Sequence, residues 1–303
     1  MRIVIIGGQG MIGRAVTEAA VSKGHNVVVT SRSPRTIGAT SSHLVLQQWD
    51  GKSAADLCRI IDGLDAVINL AGESIGKGAW TEKRKTELLN SRLEPAQALV
   101  DAIKLCQQPP AALIQASAIG YYGTGMDEKD DSASPGRGYL ADFAVKWEES
   151  TQAVEALGVR RVVIRTGIVL KQGEGVLPQL MLPFKLMVGG PVGSGKQVYS
   201  WIHLKDEAAA ILYLLEKSEL KGVFNLTAPT PLSNSEVGKV LAKVMNRPYW
   251  MPVPGFALKL LLGEMSTLVL DGQKVMPKRL LESGFVFSFT DLNKALSDLL
   301  KND

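Results

Sequence analysis

Short apolar runs recur up to about residue 170, at residues 2–6, 26–30, 43–48, 66–70, 112–116 and 161–165. Their hydrophobic positions are consecutive and do not alternate with polar ones, which predicts strands covered on both faces. Between most of them lie stretches with helical periodicity. Residues 11–23 are an example: Ile12, Ala15, Val16 and Ala19 share one face and Gly24 supplies the stop. Strand and helix in alternation predict an α/β fold of the Rossmann type, a doubly wound parallel sheet.

Beyond residue 170 the rhythm changes. Residues 171–200 are rich in glycine and proline and read as a long loop, a kind that is usually functional or mobile. A helix is predicted to open at Asp206, its carboxylate capping the amides of Ala208 and Ala209. The capping box Ser233-x-x-Glu236 starts another, running through Asn246. The last fifty residues read as one or two further helices with an apolar turn near 285–289. A chain of 303 residues lies near the size at which single cores stop growing, ~250–300 residues. The expected division is a dinucleotide-binding domain over 1–170 and a smaller C-terminal substrate lobe over 171–303, with a module at about 250–300 inside it.

Composition narrows the function classes. Hydrophobic residues make up 46% and charged ones 21%, with a net charge of +4 spread along the chain. No basic face for nucleic acid is expected from such scatter. The apolar stretch 256–270 is interrupted by Lys259 and Glu264, so no membrane span is expected, and the N-terminal run is too short for a signal-peptide core. A cytoplasmic location is the expectation. Cys58 and Cys106 read as reduced thiols, and no His or Cys spacing suggests a metal site.

The chemistry begins at the first strand-to-helix junction. Gly7, Gly10 and Gly13 form G-x-x-G-x-x-G there. The first glycine permits a tight turn, the second lets backbone approach a pyrophosphate, and the third lets helix and strand pack closely. The free amides of Met11, Ile12 and Gly13 at the positive end of the helix would receive the diphosphate. After the second strand, NAD-selective sites usually carry an acidic residue on the ribose 2′-hydroxyl. Here the chain reads Thr30-Ser31-Arg32-Ser33-Pro34-Arg35. A guanidinium pairs with a 2′-phosphate that a carboxylate would repel, so Arg32, with Ser31 as a hydroxyl donor and Arg35 in support, favours NADP(H). Asp50 is open to two roles, meeting the adenine amino group or capping its own turn.

Beyond this cradle the sequence resembles the extended short-chain dehydrogenases/reductases, and within them an atypical epimerase-family branch. Blocks carrying the resemblance are Asn69-Leu70-Ala71-Gly72-Glu73, Asn90-Ser91-Arg92-Leu93-Glu94, Ser117-Ala118-Ile119-Gly120-Tyr121-Tyr122-Gly123 and Ser200-Trp201-Ile202-His203. Gly189-Gly190-Pro191-Val192-Gly193-Ser194-Gly195 and Gly272-Gln273-Lys274-Val275 extend it into the C-terminal half. The resemblance implies cofactor contacts at Leu70 and Ala71, at Glu87 and Arg92, and at Val169 near the nicotinamide end.

Active members of that superfamily use Tyr-x-x-x-Lys with a preceding Ser, the Lys favouring the phenolate that exchanges a proton with substrate. This chain lacks the pair. Asp142 stands four residues before Lys146, and aligning on Trp147-Glu148 puts Leu140 and Ala144 at the two positions. Ser117, with Ala118 as the competing alignment, and Tyr121 are the remaining candidates for direct chemistry, with Tyr122 beside them. His203 reads as a hydrogen-bonded structural residue. Two functions are compatible with this: an NADP(H)-dependent oxidoreductase or epimerase acting on a small polar substrate, nucleotide-linked ones included, or a sensor that holds NADP(H) without turnover. In the first case the pocket would lie between the C-terminal edge of the sheet and the second lobe, with residues 189–195 as a mobile lip.

Overall fold

The computed structural model describes residues 1–33 and 42–301. Its centre is a seven-stranded parallel sheet built from β1 (Arg2–Ile6), β2 (Asn26–Ser31), β3 (Leu44–Gln48), β4 (Ala66–Asn69), β5 (Ala112–Ala118), β6 (Arg160–Thr166) and β7 (Gly222–Leu226). The spatial order is β7-β6-β5-β4-β1-β2-β3. Along β1 successive side chains serve opposite layers. Ile3 and Ile5 pack with Val16 and Ala20 of α1 (Met11–Ser22) and Ile211 of α6 (Leu204–Glu216). Val4 and Ile6 pack with Leu57 and Ile61 of α2 (Ala54–Ile61) and Leu99 of α3 (Glu82–Leu105). Each of the buried Val, Leu and Ile side chains among these contributes about 1.5–3 kcal/mol. Helices on both faces explain why the strand runs are continuously apolar.

The stop at Gly24 operates as the helix rules require. Gly24 has φ +79°, its amide bonds Val21 O and the His25 amide bonds Ala20 O, closing the end of α1 in a Schellman motif. The capping box of α7 (Asn234–Met245) also forms, and Asn246 ends that helix in the left-handed region.

Other features depart from the sequence pattern. β7 joins the sheet beside β6 although Asn225 interrupts its apolar run; Asn225 is buried and hydrogen-bonded to Tyr122. The 171–200 stretch is not loop throughout, because α5 (Leu177–Lys185) forms within it. Pro178 sits in the first turn, where a missing amide is harmless, and Leu177, Met181 and Phe184 bury one face. Finally, α6 opens before Asp206. His203 is its N-cap, with Nδ1 accepting the Lys205 amide at 3.0 Å. The Asp206 carboxylate accepts the amides of Ser288 and Phe289 instead, both at 2.8 Å, and so anchors the C-terminal segment.

Part of the C-terminal half gathers around a further core that includes Leu177, Phe184, Trp201, Leu241 and Leu296, while Leu280, Phe285 and Phe287 join the layer on the α1 side of the sheet. The C-terminal residues supply more helices than the pattern predicts, at Gly255–Leu262, Thr267–Leu270, Lys278–Glu282 and Leu292–Leu299. They are tied to the body by a short strand, Gln273–Val275, pairing parallel with Gly125–Lys129. Cys58 and Cys106 are free thiols with their sulfurs 3.3 Å apart. Among the described residues no helix is long and apolar enough to cross a membrane.

A candidate dinucleotide site at the sheet switch point

β1 lies between β2 and β4, so the chain leaves the sheet centre in opposite directions on its two sides. A crevice opens there, at the C-terminal ends of the strands, and in open α/β sheets ligands bind in it. Gly7 enters it with φ +78°, and a Cβ on it would lie 2.7 Å from Leu70 O. A Cβ on Gly13 would lie 2.5 Å from Gly7 O and Gly8 Cα. The protein's own packing therefore demands both glycines. Gly10 differs: a Cβ there would meet Gly7 O at 3.4 Å and nothing tighter. Space is left above it.

Gly10 is the N-cap of α1, with no side chain capping the helix. The Arg14 amide is the first to bond back, to Gly10 O at 2.9 Å. The amides of Met11, Ile12 and Gly13 stand ahead of it, where a helix offers no carbonyl partners, at the positive end of the dipole.

Ser31 ends β2 and donates its hydroxyl to Gln9 Oε1 at 2.8 Å, which joins the two turns. Arg32 follows; its carbonyl accepts from Gln48 Nε2, while its exposed guanidinium has no ion pair or hydrogen bond to any described residue. Arg35 lies outside the described residues. Asp50 Oδ1 accepts the amides of Lys52 and Ser53, both at 2.8 Å. Those two bonds hold its carboxyl below the usual range, and of its two open roles the turn is the one formed.

On the other side of β1, the Leu70 amide bonds Ile6 O and the Ala71 amide bonds Asn69 Oδ1. Next comes Gly72, where a Cβ would lie 2.8 Å from Arg92 Cζ. Arg92 projects from α3 and is 8% exposed. Its guanidinium lies 4.9 Å from the Phe143 ring and 4.7 Å from that of Trp147, on α4 (Tyr139–Glu149). It donates to Leu88 O, Ser91 Oγ and Glu73 O, and Nε has no partner. Burial lowers its pKa to about 10, so it stays charged at neutral pH with no carboxylate among the described residues paired to it. Glu87, one face of α3 away, accepts from Arg84, which also bonds Glu73.

Val169 lies in the strand Ile168–Lys171, which pairs with Glu174–Gly175 in a tight hairpin. A Cβ on Gly175 would touch Met11 Sδ at 3.3 Å and approach Val169 O at 3.6 Å. Folding thus brings Met11, Gly7, Leu70 and Val169 to one place.

Ser117 and Tyr121 sit at the end of β5, in a buried polar network. Ser117 Oγ donates to Glu148 Oε1 at 2.7 Å. Glu148 accepts Arg165 Nε and Nη2 at 2.8 and 2.9 Å. Arg165 Cζ lies 3.3 Å from the Tyr121 ring centroid, and its Nη1 donates to Tyr122 OH. Tyr122 OH donates to Asn225, and burial pushes the phenol up to about 12. Glu148, Arg165 and Asn225 were not singled out from the sequence. A polar residue inside an otherwise apolar strand, as at 165 and 225, is the signal that could have found two of them. Leu140 faces the same turn, its Cβ 3.3 Å from where a Gly120 Cβ would stand, and Ala144 is buried. His203 is stacked on Phe289 at 3.9 Å, and burial lowers its pKa to about 4, leaving a neutral ring.

Fold and crevice together define a Rossmann-type α/β protein whose glycine turn and uncapped helix lie at the sheet switch point. Residues 3–227 match the NAD dependent epimerase/dehydratase family, and the chain belongs to it. Residues 253–299 match a domain of unknown function (DUF1731). Among curated relatives, the epimerase family protein YfhF of Bacillus subtilis is 40% identical over 302 residues, 99% of this chain and 98% of its own. The human epimerase family protein SDR39U1 is 34% identical over 305 residues, covering 99% of this chain and all of its own, 100%. A crystal structure of that human protein with NADPH superposes with a TM-score of 0.89 at 32% identity, over 100% of both chains.

Proposed function

We propose that the protein is an NADP(H)-binding oxidoreductase or epimerase-like enzyme for a small polar substrate, the nucleotide-linked class included. The observation that carries the cofactor is the open cradle: uncapped amides at Met11, Ile12 and Gly13, with space beside Gly10 where, among the described residues, a Cβ would meet only Gly7 O at 3.4 Å. The donor set fits an anionic dinucleotide. The amides and the turn of Gly7, Gly10 and Gly13 would hold the diphosphate. Arg32, unpaired among described residues, and Ser31 would hold the 2′-phosphate. Leu70 and Ala71 would line the ribose, with Arg92 supplying a buried positive charge and Glu87 a carboxylate nearby. Val169, Ser117 and Tyr121 would border the nicotinamide end. When bound, the nicotinamide would supply or accept a hydride. The protein's part would be to orient it, with Tyr121 or Ser117 moving a proton at the substrate oxygen. The NADPH in the human relative's structure supports this cofactor.

The substrate would enter between the C-terminal strand ends and the elements of 171–303. Titration of NADPH fluorescence with wild type, Arg32→Ala and Arg32→Asp tests the cofactor. An unaltered preference for NADPH over NADH in the variants removes the 2′-phosphate assignment.

One observation favours a second reading, a protein that holds NADP(H) without turnover: the Ser117 hydroxyl is already committed to Glu148, in a chain that lacks Tyr-x-x-x-Lys in either register. A carbonyl-substrate screen followed by NADPH absorbance separates the two. Turnover that survives both Ser117→Ala and Tyr121→Phe would remove those residues from the chemistry.

A further inference from the structure

We infer that Arg14 and Glu174 form a latch that holds the 168–175 hairpin over the amides at the head of α1 and sets how long a bound dinucleotide stays. The inference rests on the NADP(H) reading above and adds a retention device to it. Arg14 Nη1 donates to Gln9 O at 2.7 Å, inside the glycine turn. Its Nη2 donates to both carboxylate oxygens of Glu174, at 2.6 and 2.5 Å. These two residues are 160 positions apart in the chain.

The hairpin is fixed along one edge and reaches out along the other. Ile168–Lys171 pairs parallel with Trp201–His203, which ties it to the body. Its second strand, Glu174–Gly175, turns back toward α1. Gly175 has φ +68° and sits against Met11, the first residue of the helix. The second strand therefore stands at the rim of the proposed diphosphate position, and Glu174 ties it through Arg14 to the glycine turn.

Gln9 completes the arrangement. Its backbone oxygen accepts from Arg14 while its side-chain oxygen accepts from Ser31. One polar chain, Ser31–Gln9–Arg14–Glu174, so runs past the cradle from the turn assigned to the 2′-phosphate to the strand pair that carries Val169. The side chains of Arg14 and Glu174 are 35% and 42% exposed, so water can compete and the tie can open. A closure of this kind governs release more than capture.

Charge alone makes the opposite prediction for Glu174. A carboxylate beside a diphosphate is unfavourable, so removing its charge should slow dissociation. A latch predicts that removing it speeds dissociation. The test measures NADPH dissociation by stopped-flow displacement for wild type, Glu174→Gln, Arg14→Met and the double variant. Amide hydrogen exchange over 172–176 in the cofactor-free proteins is measured in parallel. Each single variant is expected to dissociate roughly two- to five-fold faster, and the double variant no faster than the larger single effect. Exchange over 172–176 is expected to rise in all three while the thermal midpoint holds. Unchanged or slower dissociation in Glu174→Gln, multiplicative effects in the double variant, or unaltered exchange overturns the latch. If wild type binds NADPH with a rate indifferent to the pair, the latch alone falls; if wild type does not bind NADPH, the cofactor assignment falls with it.

Discussion

Glu207 offers a sharp test of the physics of this fold. It lies in the first turn of α6, fully buried, with Oε1 accepting the Thr166 hydroxyl at 2.7 Å and Oε2 without a partner among the described residues. Burial raises its pKa from 4.5 to about 8, the single bond from Thr166 opposing the rise. The folded protein therefore keeps a proton that the unfolded chain loses above pH 4.5. Stability from this group is fully present below that value and drains away as the pH rises toward 8. At neutral pH the loss amounts to about 3 kcal/mol, taking roughly 1.36 kcal/mol for each tenfold change in proton concentration. Glu207→Gln keeps the shape and the acceptor for Thr166 but has no proton to lose. Urea unfolding of both proteins at about pH 5 and about pH 8 measures the difference. The glutamine variant should gain about 2–4 kcal/mol relative to wild type between those conditions. A gap that stays constant with pH, or narrows as pH rises, would refute the protonated buried carboxyl.

The cradle separates two glycines by their physics. Gly13→Ala should destabilise the fold by about 1–3 kcal/mol, because its Cβ meets backbone, and a thermal melt would register it. Gly10→Ala should leave that melt almost unchanged and weaken NADPH binding at least about ten-fold, since only the ligand space is filled. Arg165→Met should cost about 3–5 kcal/mol in urea unfolding, because it strands the Glu148 carboxylate and strips Tyr122 of a donor. Asp206→Ala should cost about 2–4 kcal/mol and raise amide exchange at Ser288 and Phe289; protection retained there would contradict the anchoring role.

How far the sequence could be read depended on the range of the interaction concerned. The first six strands of the sheet in chain order and the helix after Gly7 were legible because β1, β4 and α1 express local periodicity. The glycine cradle was legible because Gly7, Gly10 and Gly13 act within one turn of chain. The fold class followed, and the family match agrees with it. β7 and α5 were hidden by local signals that misled: Asn225 inside a strand, and Pro178 and Pro183 in and around a helix. The cap of α6 was misplaced because Asp206 is a plausible local cap, yet two amides eighty residues downstream compete for it more effectively.

Residue types near the crevice were thus settled by the sequence: the glycine turn, the arginine after β2, the absence of Tyr-x-x-x-Lys. Tertiary structure alone decided their partners. It committed Ser117 to Glu148, laid Arg165 on Tyr121, buried Arg92 between aromatic rings and brought Glu174 to Arg14. The reason is physical. Periodicity and turn chemistry act over a few residues and are written in neighbouring letters, whereas a buried charge takes whichever partner the packed layers place beside it, at any separation along the chain.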